Sequence, residues 1–355
     1  MISFKSGEWV LGKVEKNWRI IHGFLATLAS MKTTMKAAVH RVYGNETALQ
    51  FEQVALRKLA GHEVLIRVKA ATVNRTDCAY LTGKPAIMHL VAGIKTPRNP
   101  ITGSDFAGII EKVGEKVTQF KPGDRVVGLD TDQCSSHAEY VIFDHNRGIA
   151  KLPDALSFVE VVASMEGAHY AYNFIKRIPE ISGKNILVNG ATGAIGSAGL
   201  QFLKHHGATV TAVCRSEHDQ LMKKLGADDV IYYDKEDFTH ADAVFDMVFD
   251  AVGKSTFGKC RNIMSPRGLY ISSELGPKAQ NPFLALITRF SSGRRVKFPV
   301  PTNTKASMSY IFDRLQDRSF KPLIDREYAF EDIREAFRYV LQGQKVGNVV
   351  ITYSR

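Results

Sequence analysis

The sequence predicts an α/β protein, in which a β-rich module of short strands is followed by a doubly wound parallel sheet. Three observations predict it. Residues 35 to about 150 read as short apolar-polar strands between Gly and Pro turns, and residues 185–271 alternate apolar runs with helical spacing. A glycine loop, Asn189-Gly190-Ala191-Thr192-Gly193-Ala194-Ile195-Gly196, joins the first of those runs to the first of those helices.

The chain has 355 residues, which fits two domains. Its 45% apolar and 23% charged residues exclude a disordered chain, a collagen-like fibre and a coiled coil. Four cysteines exclude a disulfide scaffold and favour a reducing compartment, so the cytoplasm is expected. The net charge of +11 leaves nucleic acid, a membrane surface or an anionic small molecule open. No apolar run reaches the roughly 20 residues needed to span a bilayer. Residues 1–34 are basic and amphipathic, with Lys13, Lys16 and Arg19 before Ile20, Ile21, Phe24 and Leu25. They are read as an extension outside the fold, with a targeting peptide as the alternative.

Met35-Lys36-Ala37-Ala38-Val39 opens the first strand, and Val64 to Ala70 alternates as a half-buried strand should. Gly108 to Gly114 is a strand bounded by glycines, and Pro122-Gly123 sets a turn directly before another at Arg125-Val126-Val127. After Pro153 the spacing predicts one helix over 158–175. Asn185-Ile186-Leu187-Val188 is a continuous apolar strand, the pattern of burial on both faces. Helices at 194–206 and 218–225 each stop at a glycine, Gly207 and Gly226. Strands are expected at Thr209–Val213, Val230-Ile231, Met247–Phe249 and Gly268–Ile271, then two helices and a last strand, Val349–Tyr353, beyond about Pro301.

Glycines at every third position between a buried strand and a helix carry chemistry. Without Cβ atoms, backbone N–H groups approach a pyrophosphate, and the helix N-terminus adds about half a positive charge. A packing turn is the bland alternative, but the βαβ unit around the loop is complete. Cofactor choice is read after the next strand, where an Asp or Glu would select NAD. Here Arg215-Ser216 follow Cys214, and a guanidinium can clamp a 2′-phosphate, so NADP(H) is expected. A solvated loop charge is the competing reading of Arg215.

Several motifs in order now resemble one family. They are Met35-Lys36-Ala37-Ala38, Val73-Asn74-Arg75-Thr76-Asp77, Gly103-Ser104-Asp105-Phe106-Ala107-Gly108, Phe120-Lys121-Pro122-Gly123-Asp124-Arg125-Val126, the glycine loop, Leu225-Gly226-Ala227-Asp228 and Gly347-Asn348-Val349-Val350. The chain from Met35 to Thr352 resembles the zinc-free quinone oxidoreductase-like branch of the medium-chain dehydrogenase/reductase superfamily. The resemblance implies a GroES-like β-rich catalytic domain at 35–153 and an inserted Rossmann NADP-binding domain at 154–300. Residues 301–355 would return to the catalytic domain, and the molecule would be a homodimer.

It also implies a reaction, hydride transfer from NADPH to a quinone or α,β-unsaturated carbonyl. The alternatives are an alcohol dehydrogenase or enoyl-thioester reductase on the same scaffold, or a non-enzymatic NADP-binding regulator. The relatives' catalytic zinc ligands carry over to Asn74, Ser104 and Met165, none a competent ligand, so no metal is expected. A carbonyl must then be polarised by hydrogen bonds, for which Asn74, Asp77 and Tyr80 are the candidates. Arg75 and Thr76 match positions facing the cofactor phosphates and a proton relay. Tyr233 matches a tyrosine beside the 2′-phosphate, and Val252-Gly253 the passage past the nicotinamide ribose. The basic, aromatic stretch 283–300 is read as a lid or solvated loop, without a nucleic-acid motif.

Overall fold

The computed structural model describes residues 33–354 apart from Thr131, Gln133 and Ser273. The reading of the N-terminal extension therefore falls almost wholly outside the described residues. β1 (Thr34–Val39) pairs antiparallel with β2 (Gln50–Ala55). β3 (Glu63–Val73) alternates half-buried and buried positions up to Ala70 and is buried on both faces beyond it. Two short helices follow, α1 (Arg75–Thr82) and α2 (Met88–Ala92), in a module whose sequence shows little helical spacing. β4 (Asp105–Val113), β5 (Arg125–Leu129), β6 (Tyr140–Asp144) and β7 (Ile149–Lys151) complete the N-terminal part.

The helix expected over 158–175 is two helices, α3 (Phe158–Ala163) and α4 (Glu166–Ile175). The Ser164 hydroxyl donates back to the Glu160 carbonyl at 2.8 Å, and Met165 leaves helical geometry with ψ −80°. Back-bonding of this kind competes with the helix ladder. The break makes Glu166 the first residue of a new helix, and this decides the chemistry below.

β8 (Asn185–Asn189), α5 (Ala194–His205), β9 (Thr209–Cys214), α6 (Asp219–Lys224) and β10 (Asp229–Tyr232) form the first half of the inserted domain. β11 (Phe245–Asp250), α7 (Phe257–Cys260), β12 (Met264–Ser272), α8 (Gln280–Ile287) and β13 (Arg295–Lys297) form the second. The six strands are parallel in the order β10-β9-β8-β11-β12-β13, so the apolar run Ile186-Leu187-Val188 lies in the middle and is fully buried. The stretch 283–300 is thus not one loop: it holds the end of α8, an exposed connection and β13. Val296 is buried, and β13 pairs Leu269 with Arg295 and Ile271 with Lys297 as the last strand of the sheet.

α9 (Thr304–Gln316) packs on α4, with Met308, Ile311 and Leu315 in the core shared by the two sheets. β14 (Ile324–Ala329) was not legible as a strand; α10 (Ile333–Leu341) buries Ile333, Ala336, Phe337 and Val340 at helical spacing. β15 (Asn348–Thr352) then pairs parallel with β14 and antiparallel with β3, giving the order β14-β15-β3-β4-β5-β7 with β6 on β3.

Candidate active site

The glycine loop leaves the C-terminal end of β8, where the strand order reverses between β9 and β11, the place where open α/β sheets bind ligands. Gly190 has φ +76°, and a Cβ on Gly196 would stand 2.2 Å from the Gly190 carbonyl oxygen. A Cβ on Gly193 would meet only that oxygen, at 3.4 Å. Gly193 is also the N-cap of α5 and has no side chain to bond the first-turn N–H groups. Thr192, Ala194 and Ile195 are half-buried at the mouth, whereas Ala191 is wholly in the core. This cradle fits a pyrophosphate. Beside it, the Asp250 carboxylate accepts from Asn189 Nδ2 at 3.0 Å, Val252 N at 3.3 Å, Gly253 N at 3.0 Å and Tyr270 Oη at 2.7 Å. Val252-Gly253 is thereby held against Gly190.

After β9, Arg215 is exposed (53%) with its Nε 3.2 Å from Glu217 Oε1. Tyr233, also exposed (55%), follows β10 and donates its N–H to the Cys214 carbonyl. Ser216 does not offer its donors outward. Its N–H and hydroxyl both go to Asp234, at 2.8 and 2.7 Å. Two carboxylates, Glu217 and Asp234, therefore flank Arg215.

Across the junction, α1 begins at Asn74. Asp77 is fully buried, accepting from Asn74 N at 2.8 Å and Gly103 N at 3.1 Å. It fixes the wall and faces no open space. Asn74 is 4% exposed, and its amide donates to Thr72 Oγ1 at 2.5 Å. The Thr72 hydroxyl in turn donates to Asp105, which also accepts the Thr72 N–H. Arg75 is exposed, and Thr76 and Tyr80 are half-buried. Burial first, then Asp132, Asp130 and Asp77, raise the Tyr80 phenol, so it stays protonated.

Met165 is wholly buried in the core. Glu166, next to it, is buried too, and burial, helped by the Asp105 charge, pushes its carboxyl up to about 7. Lys345, whose ammonium donates to the Gly347 carbonyl at 2.6 Å, opposes that rise. Ser104 is buried with its hydroxyl unpartnered. Among the described residues no group of three or more His, Cys, Asp or Glu side chains could hold a metal ion. The two halves of the site touch directly. A Cβ on Gly167 would lie 2.8 Å from Ala194, the first residue of α5, and Gly347 N donates to Thr192 O at 2.7 Å.

Sequence reasoning missed Glu166, Tyr170, Lys345 and Asp105. The signal available for Glu166 was a lone acid at the start of an otherwise apolar helix face; the others are brought in by chain segments far apart.

Two family profiles match separate parts of the chain, an alcohol dehydrogenase GroES-like domain over residues 60–154 and a zinc-binding dehydrogenase over 225–351. A 2-methylene-furan-3-one reductase of Solanum lycopersicum is 31% identical over 338 residues, covering 92% of this chain and 81% of that protein. The chloroplastic NADPH-dependent alkenal/one oxidoreductase of Arabidopsis thaliana is 27% identical, covering 91% and 81%. The quinone oxidoreductase structure from Coxiella burnetii has the same fold, with TM-score 0.81 at 22% identity over 91% of this chain and 100% of that one.

Proposed function

Since the chain belongs to the quinone oxidoreductase-like branch of the medium-chain dehydrogenase/reductase superfamily, and is an oxidoreductase, we propose that it transfers hydride from NADPH to a quinone or an α,β-unsaturated carbonyl without a metal. The observation that carries this reading is the open, glycine-built N-terminus of α5 at the sheet's switch point, with α4 packed against it at Gly167. When bound, NADPH supplies the hydride. Gly190, Gly193 and Gly196, with the N–H groups of Ala194 and Ile195, bind its pyrophosphate, and Arg75 adds a cation on the other side. Arg215 and Tyr233 take the 2′-phosphate, a preference that Glu217 and Asp234 moderate. Val252 and Gly253 border the nicotinamide ribose.

Tyr80 donates its hydroxyl to the acceptor oxygen, and Thr76 passes a proton. Asn74 and Asp77 hold these groups in place. An acceptor already activated by conjugation suits a site whose electrophilic help is hydrogen bonds alone. The zinc-binding function of one matched family does not transfer, because Asn74, Ser104 and Met165 supply no thiolate or imidazole.

We further propose a homodimer formed at the β13 edge, and the cytoplasm as its compartment, on four cysteines that are all buried and unpaired. The relatives include a chloroplastic enzyme, so a tagged full chain compared with one starting at Met35 tests the compartment. No helix among the described residues is long and apolar enough to cross a membrane.

The decisive experiment mixes purified protein with NADPH or NADH and a panel of quinones, enones, enoyl thioesters and aldehydes, following cofactor absorbance. Rapid NADPH consumption with quinones or enones is expected. No consumption with any acceptor would sink the reading, and stoichiometric zinc on metal analysis would sink its metal-free part.

A further inference from the structure

α10 turns its apolar side chains inward, and α2 does the reverse. The inward residues of α2 are His89, half-buried, and Ala92, buried, whereas Ile87, Leu90 and Val91 are exposed. Residues three and four apart share one helix face, so these three make a single aliphatic face. Ile94 joins it just past the helix, because the His89 Nδ1–H donates to the Ile94 carbonyl at 2.9 Å. Leu90 is 68% and Ile94 69% exposed. The other side of α2 is pinned. Tyr43 stands edge-on to the His89 ring with centroids 4.6 Å apart, its hydroxyl donates to the Gly93 carbonyl at 2.5 Å, and Arg98 N donates to the Ala92 carbonyl at 2.7 Å. A Cβ on Gly83, which ends α1, would stand 3.0 Å from both the His89 and Tyr43 rings. α2 is therefore seated on the end of α1, and it cannot roll its aliphatic face inward without breaking these contacts.

The charge around this face has one sign. No Asp or Glu lies between Asp77 and Asp105, while Lys84, Lys95 and Arg98 flank the aliphatic residues and are exposed. None of the three has an ion-pair partner among the described residues. We propose that this face docks the enzyme on an anionic lipid surface, with the aliphatic side chains of α2 among the acyl chains and Lys84, Lys95 and Arg98 at the headgroups. The proposal does not depend on the reductase reading.

A helix lying on a bilayer sinks its apolar face about 5–10 Å into the boundary of headgroups and acyl chains, while flanking cations reach back to the phosphates. Both parts of the α2 surface have a counterpart there. A second copy of this chain fits less well. A two-fold interface sets a patch against itself, so the three cations of each copy would meet their own kind. Protein interfaces are anchored chiefly by Trp, Tyr and Arg seated in pockets, whereas this face offers only Ile, Leu and Val. The flanking cations also give part of the +11 charge a surface to act on.

The test sediments the full chain with vesicles of phosphatidylcholine alone and of phosphatidylcholine mixed with phosphatidylglycerol, and measures the bound fraction. Binding is expected to the mixed vesicles only, and it should weaken at least about tenfold when salt is raised from about 0.05 to about 0.5 M. Leu90→Glu with Ile94→Glu should cost at least about tenfold in partitioning, and so should Lys84→Gln with Lys95→Gln and Arg98→Gln. All five positions are exposed, so both variants should keep the wild-type melting temperature, which separates a lost contact from a lost fold. The four native cysteines are buried, so a Leu90→Cys chain takes an environment-sensitive fluorophore at that position. Its emission should shift to the blue on mixed vesicles, which tells this face from residues 1–34, present in every variant. No binding to mixed vesicles, binding that neither variant weakens, or an unshifted label on bound protein overturns the proposal. So does a change from dimer to monomer in Leu90→Glu with Ile94→Glu, which would give the face to a second copy.

Discussion

At the scale of residues, the site is built from carboxyls that the fold keeps in unequal states. Glu166 and Asp105 are both pushed up to about 7, each chiefly by burial. Below about pH 4 both folded and unfolded chains hold these protons and no stability is lost. As pH rises towards 7 the unfolded chain ionises first, so the fold loses stability until it ionises too, and the loss is constant above that. Glu166→Gln carries no such loss. Its unfolding free energy relative to wild type should rise by at most about 3 kcal/mol between about pH 4 and pH 8, read by urea titration. A difference that is flat with pH would mean that Glu166 titrates in the fold as it does in the unfolded chain. Arg215 makes the second prediction. Arg215→Asp adds a third carboxylate beside Glu217 and Asp234, so the NADPH-to-NADH ratio of kcat/KM should fall at least about tenfold. An unchanged ratio removes Arg215 from cofactor selection. The place of Arg215 directly after β9 was legible in the sequence because it follows one local apolar run. The engagement of Ser216 by Asp234 was not, since it depends on how the turn after β10 folds back.

At the scale of elements, the glycine loop separates packing from binding. Gly196→Ala forces a Cβ against the Gly190 carbonyl oxygen, so it should destabilise the domain as well as abolish NADPH binding. Gly193→Ala meets only ordinary contact in the protein. It should keep a near-wild-type melting temperature and weaken NADPH binding at least about tenfold, because its methyl occupies the face a pyrophosphate would approach. Calorimetry and cofactor titration of the two variants distinguish these outcomes, and undiminished binding by Gly193→Ala would move the pyrophosphate elsewhere. The strand-loop-helix order was readable because it is local: one apolar run, spaced glycines and one helix stop. The break between α3 and α4 was not, because Ser164 and Met165 are compatible with a continuous helix and the break shows only in the Met165 backbone, beside the back-bond of Ser164 to Glu160. The stretch 283–300 misled for a related reason. Its basic and aromatic residues suggest a mobile surface, yet three residues, Arg295–Lys297, find β12 and become a strand by pairing.

At the scale of the whole molecule, β13 ends the six-stranded sheet with an edge unpaired among the described residues, and Leu286, Ile287 and Phe290 lie exposed in the segment before it, Phe290 to 87%. Unpaired edges and contiguous apolar surface are features that association covers. Leu286→Glu with Phe290→Glu should therefore convert a dimer to monomers in sedimentation or light scattering, and a wild type already monomeric at micromolar concentration ends the proposal. The two-sheet plan was legible from the change of sequence pattern after Pro153. The contribution of β14 was not, since Ile324–Ala329 becomes a strand only by lying against β15. β15 itself lies inside the first sheet, between β14 and β3, with Val349 beside Val73. On a ribosome the β-rich module emerges first, but the Ala70–Val73 end of β3, beyond its pairing with β6, lacks its β15 partner until the final residues are made, whereas the inserted sheet has all its strands once Lys297 is out. The part of the enzyme translated earliest is therefore the part finished last, and a nonsense codon a few positions before Val349 would disable a domain synthesised long before it.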